Sequence, residues 1–75
     1  SDDNINLTVK LDHHEEMLVV LMDILGNQIY SKVIVTDDNG FAASGINPGK
    51  DLKPGIYEIV GYSSKRQMSK KLIIF

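Results

Sequence analysis

Asp51-Leu52-Lys53-Pro54-Gly55-Ile56-Tyr57-Glu58-Ile59, followed after a polar turn by Met68-Ser69-Lys70-Lys71-Leu72-Ile73-Ile74-Phe75, reads as a tight turn, a strand, a hairpin and a final strand. Pro54 presets φ near about −65° at the second turn position, and Gly55 tolerates the positive φ that a type II turn asks of the third. Tyr57 and Ile59, then Leu72 and Ile74, alternate with their neighbours. That is the period-2 pattern of a strand pair with one face turned to a core. Nothing in this stretch groups an acid, a base and a nucleophile.

The rest of the chain repeats the pattern. Ile5, Leu7, Val9 and Leu11 alternate with Asn6, Thr8 and Lys10, a half-buried strand. Met17 to Ile24, Gln28 to Thr36, Phe41 to Ile46, Ile56 to Tyr62 and Gln67 to Phe75 follow as further strands. Polar turns separate them, and Asp37-Asp38-Asn39-Gly40 reads as a hairpin turn in which Asn-Gly accepts positive φ. Helix signals are nearly absent and turn residues recur at short spacing, which predicts an all-β domain. The expected fold is a small Ig-like β-sandwich of six to seven antiparallel strands, with Leu52 in the seventh. Tyr57, just after a Leu-x-Pro-Gly turn, resembles the tyrosine corner of such sandwiches, where a buried hydroxyl bonds the backbone at the bend. A plain core tyrosine is the other reading.

Composition bounds the function. Seventy-five residues make one small domain, here residues 1–75, which buries only about 60% of its unfolded surface. There is no cysteine, so neither a disulfide framework nor a Cys-based zinc site staples it. The core rests on a 43% hydrophobic content. A net charge of −2 with scattered signs argues against a nucleic-acid surface. The cluster Lys65, Arg66, Lys70 and Lys71 reads as a solvated hairpin and an edge strand, where lysine discourages edge pairing. No segment approaches the roughly 20 apolar residues of a membrane helix, so no membrane insertion is expected. The polar, acidic start Ser1-Asp2-Asp3-Asn4 is not a signal peptide; it fits a cytosolic protein or a domain excised from a longer one.

Candidate chemistry is thin. Asp12-His13-His14-Glu15-Glu16 offers metal-ligand types, but neighbours on an extended backbone point to opposite faces and no third ligand cluster exists. It reads as a solvated hairpin loop. Asp37 to Gly40 resembles a calcium loop only faintly, lacking the later spaced ligands. No Gly-Lys-Ser/Thr follows the glycines, and the serines lack a base and an orienting group. No catalytic, cofactor or metal residue is assigned, and no enzyme is expected. The second strand is more informative, because Met17-Leu18-Val19-Val20-Leu21-Met22 is apolar on both faces. With Met17, Val19 and Leu21 inward, Leu18, Val20 and Met22 form an outward row. That row is either an interface, self-association included, or a surface that another part of the protein covers.

Three motifs in order carry a family resemblance. Asp23-Ile24-Leu25-Gly26-Asn27-Gln28-Ile29-Tyr30, Asp51-Leu52-Lys53-Pro54-Gly55-Ile56-Tyr57 and Ser69-Lys70-Lys71-Leu72-Ile73-Ile74 resemble segments of the C-terminal sorting domains of the Bacteroidetes type IX secretion system. The family's opening aromatic-Pro-Asn-Pro segment has no counterpart before Ile5. The resemblance implies a seven-stranded Ig-like sandwich and a non-catalytic signal, read by the outer-membrane translocon after export through the periplasm. It implies a cargo delivered to the cell surface or released, and a surface sortase-like protease as a second partner. Carried onto this chain, the signal is the final hairpin, with Gly55, Tyr57, Lys70, Lys71 and Leu72 as its members. The competing function is a structural or binding Ig-like module of a surface protein, such as an adhesin or a carbohydrate-enzyme appendage.

Overall fold

The computed structural model of the chain describes residues 5–49 and 52–75. Among these, six strands form: β1 (Ile5–Lys10), β2 (Glu16–Asp23), β3 (Gln28–Val35), β4 (Phe41–Ile46), β5 (Gly55–Tyr62) and β6 (Gln67–Ile74). Each lies within one or two residues of the stretch its alternation marks. They build two antiparallel sheets, β1-β4 and β3-β2-β5-β6. That order matches strands B-E against C′-C-F-G of an immunoglobulin sandwich.

The core lies between the sheets because each strand turns alternate residues the same way. Met17, Val19 and Leu21 from β2, Ile34 from β3, Ile46 from β4, and Tyr57 and Ile59 from β5 are all buried there. Leu7 and Val9 from β1, and Leu72 and Ile74 from β6, pack against them. Leu52 is also in this core, at 7% exposure, but it sits in a connection and not in a strand. No seventh strand forms among the described residues, and Lys50 and Asp51 of the expected turns lie outside them.

Three expectations need correction. The segment Asp37–Gly40 is a turn but not a hairpin, since β3 and β4 belong to different sheets. Only Gly40 has positive φ there, at 85°, while Asn39 does not. The Asp12–Glu16 connection likewise crosses between sheets, and Glu15 in it is buried at 6% exposure rather than solvated. At Pro54-Gly55 no type II turn forms. Gly55 has φ 157°, far from the roughly +80° of that turn. It is instead the first rung of β5, opposite Ile74.

The turns after β2 and β3 share one design that the sequence states twice. Asp23 Oδ1 accepts from the amides of Leu25 and Asn27, both at 2.9 Å. Asp37 Oδ1 accepts from the amides of Asn39 and Phe41, also at 2.9 Å. In each, the glycine amide donates back to the aspartate carbonyl at 3.0 Å. An Asp-x-x-Gly-x segment thus closes on its own first side chain, as aspartate does in turns. The carboxyls of Asp23 and Asp37 are held below the usual range, chiefly by the amides of Asn27 and Phe41 respectively.

Candidate recognition surface

The β5–β6 hairpin is fixed at both ends. At the corner before β5, the Tyr57 hydroxyl donates to the Lys53 carbonyl at 2.5 Å. Tyr57 is 8% exposed and lies near the start of the F-equivalent strand, the setting of a tyrosine corner. This bond, rather than a type II turn, sets the direction in which β5 leaves the corner.

At the other end, the loop Ser63–Arg66 is tied to the Asp12–Glu16 connection. Ser63 Oγ donates to Glu15 Oε2 at 2.6 Å, and Arg66 Nε donates to the same oxygen at 3.2 Å. Glu15 Oε1 accepts from the Asp12 amide at 3.0 Å. The carboxylate is therefore satisfied on both oxygens although its side chain is only 4% exposed, as a buried charge requires. The Ser63 hydroxyl first, then the Asp12 amide and Arg66, hold the Glu15 carboxyl below its usual range. Thr36 completes the junction: its Oγ1 accepts from the Glu15 amide at 2.7 Å and donates to the Asp12 carbonyl at 2.5 Å. Outside, Lys65 Nζ lies 2.7 Å from Asp12 Oδ2. The hydrogen bond between them lowers the Asp12 carboxyl and raises the Lys65 amine.

Two features of the basic cluster follow. Lys65 and Arg66 are engaged with Asp12 and Glu15, so they do not form a patch with Lys70 and Lys71. The latter two diverge as well. Lys70 is paired with Ile59 and stands on the inner face of β6, while Lys71 is paired with Glu58 on the outer face. Both are exposed. Leu72, opposite Tyr57, is half-buried against the core. Of the five residues assigned to the signal, two lysines are open to a partner. Tyr57 and Leu72 hold their strands in place, and Gly55 starts the ladder.

The outward row of β2 sits in the middle of the larger sheet. Leu18 lies between Val33 and Tyr62, Val20 between Ser31 and Val60, and Met22 between Gln28 and Glu58. Leu18 is 40% exposed, whereas Val20, at 6%, is covered by its neighbours in the sheet. Val33, Val35, Ile56 and Ile73 extend this exposed apolar face beyond the row. Their contribution escapes a reading of β2 alone, since it depends on which strands lie beside it.

The histidines form no ligand set. His14 Nε2 is 2.5 Å from Asp38 Oδ1, and the two imidazoles meet edge to face with centroids 5.7 Å apart. No group of three or more His, Asp or Glu side chains is gathered for a cation among the described residues. Compared with known proteins, the whole chain, residues 1–75, matches the family model described as "Secretion system C-terminal sorting domain". No curated protein and no solved structure matches it.

Proposed function

Because the chain belongs to the secretion-system C-terminal sorting domains of type IX secretion, we propose that its last hairpin is the part of the signal which the secretion machinery reads. Membership of the family carries export across the outer membrane to the cell surface or the extracellular space. It also carries a sorting role, and sorting domains of this kind are in general not catalysts. On this reading residues 1–75 act as a single non-catalytic module of a longer exported cargo protein. The outer-membrane translocon engages β6, and a sortase-like protease acts on the cargo at the surface. The outer face around Leu18, Val20 and Met22 is available for self-association.

The observation that supports the reading best is the placement of β6. It is the edge strand of the larger sheet, so one side of its backbone has no partner in the strand order. Lys70 and Lys71 stand on it with exposed side chains. An edge strand offers backbone pairing and charge together, a common route to recognition of one chain by another. The corner at Tyr57 and the junction at Glu15 hold that strand in one position.

The test is secretion of a signal-peptide-bearing fluorescent reporter fused to residues 1–75 in a type IX-competent host. Export of the fusion is expected, with loss of export when Lys70 to Phe75 is deleted. A reporter left in the periplasm by the intact domain sinks the sorting reading. Export that survives the deletion sinks the role of β6.

A further inference from the structure

We propose that the free edge of β1 accepts an extended peptide strand that carries a carboxylate, supplied by a different protein. The sandwich is unbalanced: a sheet of two strands lies over a sheet of four. Lys32 Nζ reaches the Gly45 carbonyl at 3.5 Å, which puts β4 over the β3 side. The lane above β6 is left without a strand. A cleft of about 280 Å³ opens there, walled by Leu7 and Val9 of β1 and by Met68 and Lys70 of β6, and floored by Val19 and Ile59. Met68 is 39% exposed although it stands on the inner face of its sheet, paired with Gly61.

A strand laid beside β1 would fill this lane. Backbone groups on the open edge of β1 would pair with it, and its inward side chains would meet the apolar walls, as in strand addition elsewhere. The walls are about three residues long on each side, room for two inward positions at about 6.6 Å spacing. One meets Val9 and Ile59. The other meets Lys70, which makes no ion pair or hydrogen bond among the described residues. The occupant therefore alternates apolar and polar residues and places an acid opposite Lys70.

Charge identifies the source. The four edge strands of this chain are INLTVK, QIYSKVIV, FAASGI and QMSKKLII. None contains an aspartate or glutamate, and three contain lysine. A second copy pairing by any of its edges brings either no charge or a like charge to Lys70. The acid comes from another polypeptide.

This proposal goes beyond the sorting role and does not depend on it; it is tested in vitro on the isolated chain. The probe is an acetylated and amidated hexapeptide, Ile-Thr-Val-Thr-Asp-Thr, whose inward positions read apolar, apolar, acidic. Titration is followed by the methyl resonances of Met17, Met22 and Met68 and by amide exchange in β1. Saturable shifts at Met68 and Met17, with Met22 unmoved and slowed exchange in β1, are expected. The variant Lys70→Gln, or asparagine in place of the peptide aspartate, weakens binding about 2–5-fold. Proline at the central valine removes an N–H needed for pairing and abolishes saturation. The proposal is overturned by the absence of saturable shifts at millimolar peptide, by shifts confined to Met22 on the opposite face, or by a proline peptide that binds equally well. Light scattering that shows dimers disrupted by the Lys70→Gln change also overturns it, since the lane is then occupied by a second copy.

Discussion

Replacing Gly40 by alanine, beside the same change at Gly26, separates two costs that a turn glycine carries. Both occupy the fourth position of an Asp-x-x-Gly-x turn, with φ of 85° and 87°. An alanine forced into that left-handed conformation costs roughly 1–2 kcal/mol, offset by about 0.4–1 kcal/mol through a stiffer unfolded chain. At Gly26 nothing lies within 4 Å of the added methyl, so the net loss is about 1 kcal/mol. At Gly40 the methyl collides with the carbonyl oxygen of Leu11, a backbone atom. Relief requires β4 to move off β1, which breaks the 2.7 Å bond from the Leu11 amide to the Gly40 carbonyl. Leu11 is 5% exposed, so water does not replace the bond; an unpaired buried group adds about 1–3 kcal/mol. Gly40→Ala should therefore cost about 2–4 kcal/mol, out of the roughly 4–11 kcal/mol expected for a chain of this length. Urea unfolding followed by far-UV circular dichroism measures both variants. If the two losses agree within about 0.5 kcal/mol, the close approach of β4 to Leu11 is wrong.

Tyr57→Phe keeps the ring in the core and removes only the bond to Lys53, so a loss of about 1–2 kcal/mol is expected in the same assay; no loss would show that the corner does not rely on the hydroxyl. Thr36→Val preserves shape but leaves the Glu15 amide without its acceptor, and should cost about 1–3 kcal/mol, with Thr36→Ser restoring most of it; equal stability of the valine and serine variants contradicts the junction. Asp12, Glu15, Asp23 and Asp37 all have depressed carboxyl pKa values when folded. The unfolded chain then binds protons first, so stability is complete above the ordinary carboxylate range and falls as pH drops through and below about 4. Glu15→Gln should flatten that acid limb, and an acid limb of unchanged slope rules out Glu15 as a contributor. Lys65 has the opposite sign, its amine being raised; its share is present below about pH 10.4 and is lost above. Lys65→Met should remove that alkaline loss.

The strands were legible because period-2 alternation is a local property, and all six stand close to where Ile5, Met17, Gln28, Phe41, Ile56 and Gln67 begin their runs. Pairing was not legible in the same way. Asp23 and Asp37 close their turns with the same bonds, yet one turn joins paired strands and the other passes the chain to the opposite sheet. The difference lies in the pairing of β4 with β1, residues far away in sequence, which no turn motif encodes. Glu15 escaped for a related reason. A glutamate in a polar loop reads as solvated, and its partners Ser63 and Arg66 are 48 and 51 residues away. For the recognition surface, the motif order pointed to the last hairpin. It could not state that Tyr57 and Leu72 face inward while the two lysines part company, because that follows from the β5–β6 register.

Lys70 and Lys71 are one dibasic unit to anything that meets the chain before it folds, and two separate charges on opposite sides of a sheet once it has folded. The pleat of β6 thus converts sequence adjacency into spatial separation. A reader of the unfolded tail would tolerate either lysine moved by one position, since the charge density along the strand is unchanged. A reader of the folded domain would not, because such a shift carries the charge through the sheet to its other side. The same two residues therefore report on when, relative to folding, the chain is inspected.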